Sequence, residues 1–315
     1  MPLNYAEVWS PDLLKIMEQE SLISPFITSN VKWLDAKTFH FTRMSTSGYK
    51  SHNRAGGWNK GIYEQFDHPF VVAHDRDISF LVDKAEVDET NKTASIKNIS
   101  KVFHQTQQVP ESDAYFFSKV AAEAKKVKGY NSETAEADWT KENVFGKLKS
   151  MLSAGKIRRY VKNGSLICYV RSFIMDLLEQ SKDFTRKIEM TQIAEGGIGI
   201  ETRMTEIDGV TLMEVIDDER FYDKFDFTDG FVPVVGTSHR INVLIASLET
   251  VKFVPKISSI YYKEPGDHTE GDGYLYMDRS LSDAFVFPNG KNGKIDSIYV
   301  DTDTATYVAE EEEAV

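Results

Sequence analysis

An α+β chain is the expectation from this 315-residue sequence, on three grounds. Residues 31–83 alternate apolar and polar side chains along two arms around a glycine-rich tip, which is the period of β-strands. Residues 110–129 carry an apolar stripe at helical spacing, with acids at its start and bases at its end. From 141 onward, helical and strand-like stretches alternate, and after 240 strands take over.

Residues 1–30 read as an extended arm holding one short helix. Ser10 is its N-cap, Pro11 its first helical position, and Leu13, Leu14, Ile16 and Met17 its apolar side. So small an arm cannot fold alone, and those four side chains are the expected contact with another subunit. In the hairpin that follows, Val31 to Thr46 places Trp33, Phe39 and Phe41 on one face and Thr38, His40 and Thr42 on the other. The return arm runs from Ile62 through Phe70, Val71, Val72, Ile78, Phe80 and Leu81 to Val82. Between them lies a tip, 47–61, with Gly48, Gly56, Gly57 and Gly61 and the bases Lys50, Arg54 and Lys60. A two-stranded hairpin is marginal in water, so a long one needs a partner surface. Tyr49, Lys50, Arg54, Trp58 and Lys60 are the expected inter-subunit contacts at this tip.

A polar connector, 83–91, leads to a short amphipathic helix marked by Ile96, Ile99, Val102 and Phe103. Pro110 is expected to interrupt it and to open a second helix. That helix has Glu111 and Asp113 in its first turn, Phe116, Phe117, Val120, Ala121, Ala124 and Val127 as its buried stripe, and Gly129 beyond its end. Residues 130–140 read as a loop. Val144, Leu148, Met151 and Leu152 predict a helix, Leu166 to Val170 a strand, and Ser172 to Gln180 another helix. Ile207-Asp208-Gly209-Val210 is a tight turn before a strand reaching Ile216. Strands are expected at Ile241 to Ala246, Val251 to Ile260, Tyr274 to Met277, Ala284 to Phe287 and Ile295 to Val300, the last after the turn signals Asn289-Gly290 and Asn292-Gly293. The tail, 306–315, ends in an acidic run expected to fray.

The net charge of -12 disfavours a chain that coats nucleic acid, because phosphate contacts need clustered Lys and Arg. One cysteine, Cys168, rules out an intrachain disulfide, and its apolar surroundings point to a buried, inert thiol. The first residues lack a basic and apolar leader, and nowhere do about 18 apolar residues run together, so neither a signal peptide nor a membrane span is expected.

The catalytic and cofactor patterns in the sequence are each incomplete. Gly196-Gly197-Ile198-Gly199 lacks the third glycine and the following helix of a dinucleotide site. His68, His74, Asp75 and Asp77 imitate metal ligands on a strand, where charged pairs are the simpler reading. The acidic loop 267–273 lacks the spacing that places oxygens around calcium. Tyr49 and Trp58 among basic residues resemble a single-strand binding surface, against which the acidity of the whole chain weighs. No catalytic, cofactor or metal set is expected.

The order of the elements, and several strings within it, resemble a known family. The strings are 31–38 (VKWLDAKT), 74–77 (HDRD), 81–83 with 87–91, Ile96 to Phe103, Val109-Pro110-Glu111, and 274–280 (YLYMDRS) with 283–286 (DAFV). Together they resemble the major capsid proteins of tailed bacteriophages, the Hong Kong 97 type, in a branch from phages of Gram-positive bacteria. The resemblance implies an N-terminal arm at 1–30, an extended loop at 31–83, a peripheral domain at 84–129 and 241–305 with its spine helix and β-sheet, an axial α+β domain at 130–240, and an acidic tail. It implies pentamers and hexamers of one chain closing into an icosahedral head around double-stranded DNA, without sequence-specific contacts, cofactor, enzyme activity or membrane. A portal protein, a procapsid stage and decoration proteins belong to the same scheme, as does a location in the virion after assembly in the host cytoplasm. With the arm beginning near Met1, a separate scaffolding protein is expected. Two alternatives remain open: an encapsulin-type compartment shell, distinguished by cargo protein in place of genome and portal, and a cytoplasmic enzyme with its site in 140–240, distinguished by small discrete oligomers.

Overall fold

The computed structural model describes residues 21–28, 38–52, 58–83, 96–181, 189–192, 201–269, 271–288 and 294–309. The helix expected after Ser10, with Leu13, Leu14, Ile16 and Met17, lies outside these residues. So do Trp33, Arg54, residues 84–91 of the polar connector, the 196–199 glycines, the two Asn-Gly turns and the acidic run of the tail.

The chain starts with strands β1 (Thr38–Thr46), β2 (Tyr63–Val71) and β3 (His74–Asp83), then helices α1 (Ile96–Phe103) and α2 (Val109–Lys125). Next come β4 (Asn131–Glu133), α3 (Val144–Leu152), β5 (Leu166–Arg171) and α4 (Ser172–Gln180). The strands β6 (Glu189–Gln192), β7 (Glu201–Ile207), β8 (Val210–Val215), β9 (Phe225–Asp226), β10 (Val232–Pro233), β11 (His239–Ser247), β12 (Val251–Lys263), β13 (Gly273–Val286) and β14 (Ile298–Thr306) complete it.

Seven strands form the main sheet, in the order β4-β14-β11-β5-β8-β7-β6. Its central strand β5 is buried along its whole length, so its side chains do not alternate apolar with polar. They alternate between two covered faces instead. Ile167 and Tyr169 join the core under α2, with Phe116, Phe117, Leu244 and Val300. Cys168 and Val170 join the core under α3 and α4, with Leu148, Ile174, Val243 and Ile245. The sheet is thus the middle of three layers. A tight turn joins β7 to β8, with Asp208 at φ 52° and Gly209 at φ 80°, the left-handed pair a two-residue hairpin turn requires.

Several elements depart from the sequence expectations. The stretch 130–140 contributes β4, which pairs in parallel with β14 and joins the main sheet, because Ser132 and Thr134 reach the buried carboxylate of Asp301. Pro110 does not interrupt the helical run. A five-residue π-helix, His104–Gln108, carries α1 into α2, and Pro110 sits in the first turn of α2. β13 is one strand of fourteen residues where two short ones were expected, since pairing with both β12 and β3 holds its polar middle. β14 begins three residues later than expected and runs on to Thr306. The return arm of the hairpin breaks at Val72-Ala73: β2 pairs with β1, while β3 leaves for a separate three-stranded sheet, β12-β13-β3. Of the strands placed by the sequence in the unit 241–305, β11 is hydrogen-bonded to β5 from the unit 130–240, and β14 lies between β11 and β4.

Candidate assembly surfaces

Nine cross-strand pairs, from Thr38 opposite Val71 to Thr46 opposite Tyr63, make β1 and β2 a ladder of two strands with no third among the described residues. At about 3.3 Å per residue it spans roughly 30 Å. The tip is closed by main-chain and hydroxyl bonds: Ser47 N donates to Ile62 O at 2.8 Å, and Ile62 N donates to Ser47 Oγ at 2.9 Å. Asn59 Nδ2 donates to Ser51 O at 2.9 Å. Of the residues expected to make contacts here, Tyr49 and Trp58 are fully solvent-exposed, and Lys50 and Lys60 are exposed beside them. Ile62 and Tyr63 extend this bare apolar surface onto the ladder. Large apolar groups left in water on a projection mark an interaction surface.

The root of the hairpin is buried in its own chain. Phe70 meets the rings of Phe285 and Phe287 edge-on at 5.3 and 5.1 Å, and Val72 is buried beside them. At the break between β2 and β3, Ala73 N donates to Asp283 Oδ2 at 3.1 Å. The other oxygen of this buried carboxylate accepts from Tyr115 on α2 at 3.0 Å, with Lys119 at 3.5 Å. Burial, and then Asp283, push the Tyr115 phenol well above its ordinary range, so it stays a donor. One turn along β3, Arg76 Nε pairs with Glu111 at 2.7 Å, and the His74 ring stacks on Tyr115 at 4.1 Å with its Nε2 3.1 Å from Glu111. The Arg76 guanidinium also donates to the carbonyls of Phe227 and Gly230.

The arm root is likewise seated in its own chain. Leu22, Ile23 and Phe26 are buried against α2 and the main sheet, with Phe26 5.0 Å from Phe116; the arm residues expected to meet another subunit, Leu13, Leu14, Ile16 and Met17, lie outside the described residues. Thr28 N donates to Phe253 O at 2.9 Å. Asp113 holds the arm in place. This fully buried carboxylate accepts from Ser21 Oγ, from Leu22 N at 3.2 Å and from Arg220 Nη1 at 3.1 Å. Burial pushes its carboxyl up, while Arg220, Ser21 and Leu22 pull the other way. Glu111 and Asp113 therefore act as tertiary ligands, where the sequence assigns them to the helix dipole. No spacing rule could have found this, because Ser21 and Arg220 lie 92 and 107 residues from Asp113.

A cleft of about 920 Å³ opens between β3, the α1 and π-helical turns, β13 and the loop before β10. Its apolar wall includes Ile78, Phe80, Val102 and Phe103, and its carboxylates are Asp75, Asp77, Glu111, Asp229 and Asp278. Two of these are paired, Asp75 with Arg279 at 2.6 Å and Glu111 with Arg76. Asp278 is 4% exposed; its Oδ2 lies 3.3 Å from His104 Nε2 and accepts from Tyr276 at 3.2 Å, while its Oδ1 is buried with no hydrogen-bond partner.

Of the groups weighed for chemistry, Cys168 is fully buried, and burial raises its thiol far above the thiolate range. His74 and Asp75 are engaged in the pairs already given, and His268 Nε2 lies 2.7 Å from Gly273 O within its loop. Among the described residues no group of three or more His, Cys, Asp or Glu is placed to hold a metal ion. Among them, too, no helix is long and apolar enough to cross a membrane.

No family model matches the chain, and no curated protein matches it. Solved structures do. The mature capsid of bacteriophage PhiM1 superposes with a TM-score of 0.59 at 11% identity, over 90% of this chain and 87% of that one. The head structure of Helicobacter pylori bacteriophage KHP40 gives 0.58 at 10% identity, over 90% of each chain. The capsid of cyanophage P-SCSP1u gives 0.56 at 10% identity, over 86% of this chain and 85% of that one. At such identities the likeness is one of fold: the chain has the α+β fold of tailed-phage capsid proteins.

Proposed function

We propose that this chain is the major capsid protein of a tailed double-stranded DNA bacteriophage, a structural protein and not an enzyme, which assembles as pentamers and hexamers into an icosahedral head. The observation that carries this reading is the unpartnered β1–β2 ladder with its bare aromatic tip, on a fold shared over nine-tenths of the chain with a phage capsid protein. Such a projection gains its burial from another copy, and obligate interfaces of this kind commonly cover about 2,000–5,000 Å².

In this reading the arm and extended loop clasp neighbours. The peripheral domain comprises α1, α2 and the sheet β12-β13-β3. The axial domain takes β11 and β14 together with 130–240, because those strands are hydrogen-bonded into its sheet. The net charge of -12 favours a wall to which packaged DNA does not adhere. Assembly takes place in the host cytoplasm with a separate scaffolding protein and a portal, followed by any decoration proteins. The placement in a branch from phages of Gram-positive bacteria is carried by the sequence strings alone.

Expression of the full chain with and without a candidate scaffolding protein, viewed by negative-stain microscopy, tests the reading. Closed shells are the expected result. A monomer indifferent to concentration and to scaffold overturns it, and shells filled with a cargo protein in place of DNA and portal transfer it to the encapsulin-type compartment.

A further inference from the structure

We propose that the cleft between β3, the π-helical turn and β13 is a binding site for a linear aliphatic polyamine. This goes beyond the shell reading and does not depend on it, because every group of the site belongs to one chain.

Charge selects a cation. The five carboxylates of the cleft face a single arginine among its lining residues, Arg76. Arg76 is committed to Glu111, and Arg279 to Asp75, with Asp77 also in its field. Among the described residues, Asp229 and Asp278 have no Arg or Lys partner. Asp278 sets the demand at the back of the cleft. The register of β13 on β3 places it opposite Ile78, and Tyr276 opposite Phe80, so these side chains share one face. Its Oδ2 is served by the Tyr276 hydroxyl and by His104 Nε2. The other ring nitrogen of His104 meets Gln108 Oε1 inside the π-helical turn, so the ring has none to spare for Oδ1. That oxygen stays buried without a donor, and an orphan buried acceptor is costly until one arrives. A π-helical turn at this point fits a ligand site, where such turns recur.

Size and lining choose among cations. A bare metal ion needs several converging ligands, and among the described residues no such group is placed for one. A volume of about 920 Å³ is that of a small-molecule site. Its wall carries Ile78, Val102 and the edge-to-face pair Phe80 and Phe103, with rings 5.5 Å apart. Methylene stems pack on such a wall, while aromatic faces and carboxylates hold ammonium groups. A run of methylenes between ammonium groups meets both demands. One ammonium supplies the donor that Asp278 lacks, and another pairs with the exposed Asp229.

Spermidine is the probe, titrated by calorimetry into the full-length protein at low ionic strength, with magnesium chloride as the charge-only control. Spermidine is expected to saturate at one per chain, and magnesium at equal charge is expected not to displace it. D278N removes the deep charge, and affinity should fall about tenfold or more. D229N, at an exposed position, should weaken binding about two- to fivefold. V102W changes a half-exposed residue of the wall, fills the cleft and leaves every carboxylate in place, so it should abolish the saturable site. Circular dichroism checks that each variant is folded, and V102W and D229N carry the test if D278N is not. Full affinity in folded V102W, or heats that magnesium reproduces and no substitution alters, mark diffuse counterion binding to an acidic chain and overturn the site. The readout counts ligand per chain, so it is the same for free subunits and for particles, whatever becomes of the shell reading.

Discussion

Asp301 is fully buried and is held by neutral donors alone: Ser132 Oγ, Thr134 Oγ1 at 2.8 Å and Asn242 Nδ2 at 2.9 Å. Burial is the largest influence and raises its carboxyl above the ordinary aspartate value of 3.8, more than these donors lower it. The folded state therefore binds the Asp301 proton more tightly than the unfolded state does. Its contribution is fully present below pH 3.8 and declines as pH rises through the higher folded value. D301N removes this dependence, so the stability gap between wild type and D301N should be wider at pH 4 than at pH 7. At neutral pH the variant should still lose about 1–3 kcal/mol, because an amide leaves one buried donor unmet. Urea titrations followed by tryptophan fluorescence at the two pH values check both statements, and a gap that widens toward pH 7 contradicts the assignment. The two covered faces of β5 were half legible: an apolar run around Cys168 announces burial, yet nothing in it says that 167 and 168 face different cores. Buried polar groups such as Asp301 and Asp113 were not legible at all, since their partners come from distant segments.

Strand β13 is held on both sides, and at its first residue the fit is tight. A Cβ added to Gly273 would lie 2.5 Å from Val82 O on the neighbouring strand. That atom belongs to a backbone fixed by the register Gly273–Asp83 and Tyr274–Val82, so it cannot step aside as a side chain would. G273A should cost about 1–3 kcal/mol through forced displacement of the strand, and hydrogen exchange should speed up at Val82 and Tyr274 ahead of the main sheet. Exchange at the wild-type rate would show that β3 yields freely. Local pattern identified nearly every element that builds a whole face: α2 from its apolar stripe, α4 from Ser172 to Gln180, the β7–β8 turn from Asp208-Gly209. It failed where a neighbour decides. Asn131 to Glu133 is polar and becomes a strand only because β14 offers an edge, and Pro110 reads as a break unless the preceding turn can widen.

At the scale of the molecule, two anchored roots leave one bare projection among the described residues. The arm root is tied through Asp113 and the hairpin root through Asp283, so both belong to the folded body. Deletion of 47–61 removes neither anchor, and it should leave a soluble, folded subunit that forms no closed particles. Normal particles from that variant would remove the tip from assembly. The order of parts along the chain was legible because each part is long and strongly patterned. The place of β11 and β14 in the main sheet was not, because both lie far along the chain and join it through main-chain bonds that any sequence can make.

The break at Val72-Ala73 has a mechanical consequence. A pull on the tip passes down the ladder into two residues and then divides, through Asp283 to Tyr115 and through Arg76 to Glu111, both on the same helix. The seven-stranded sheet meets that load path through α2, whose Phe116 and Phe117 pack on it. Force on the hairpin thus enters the thick middle of the molecule by way of one stiff rod.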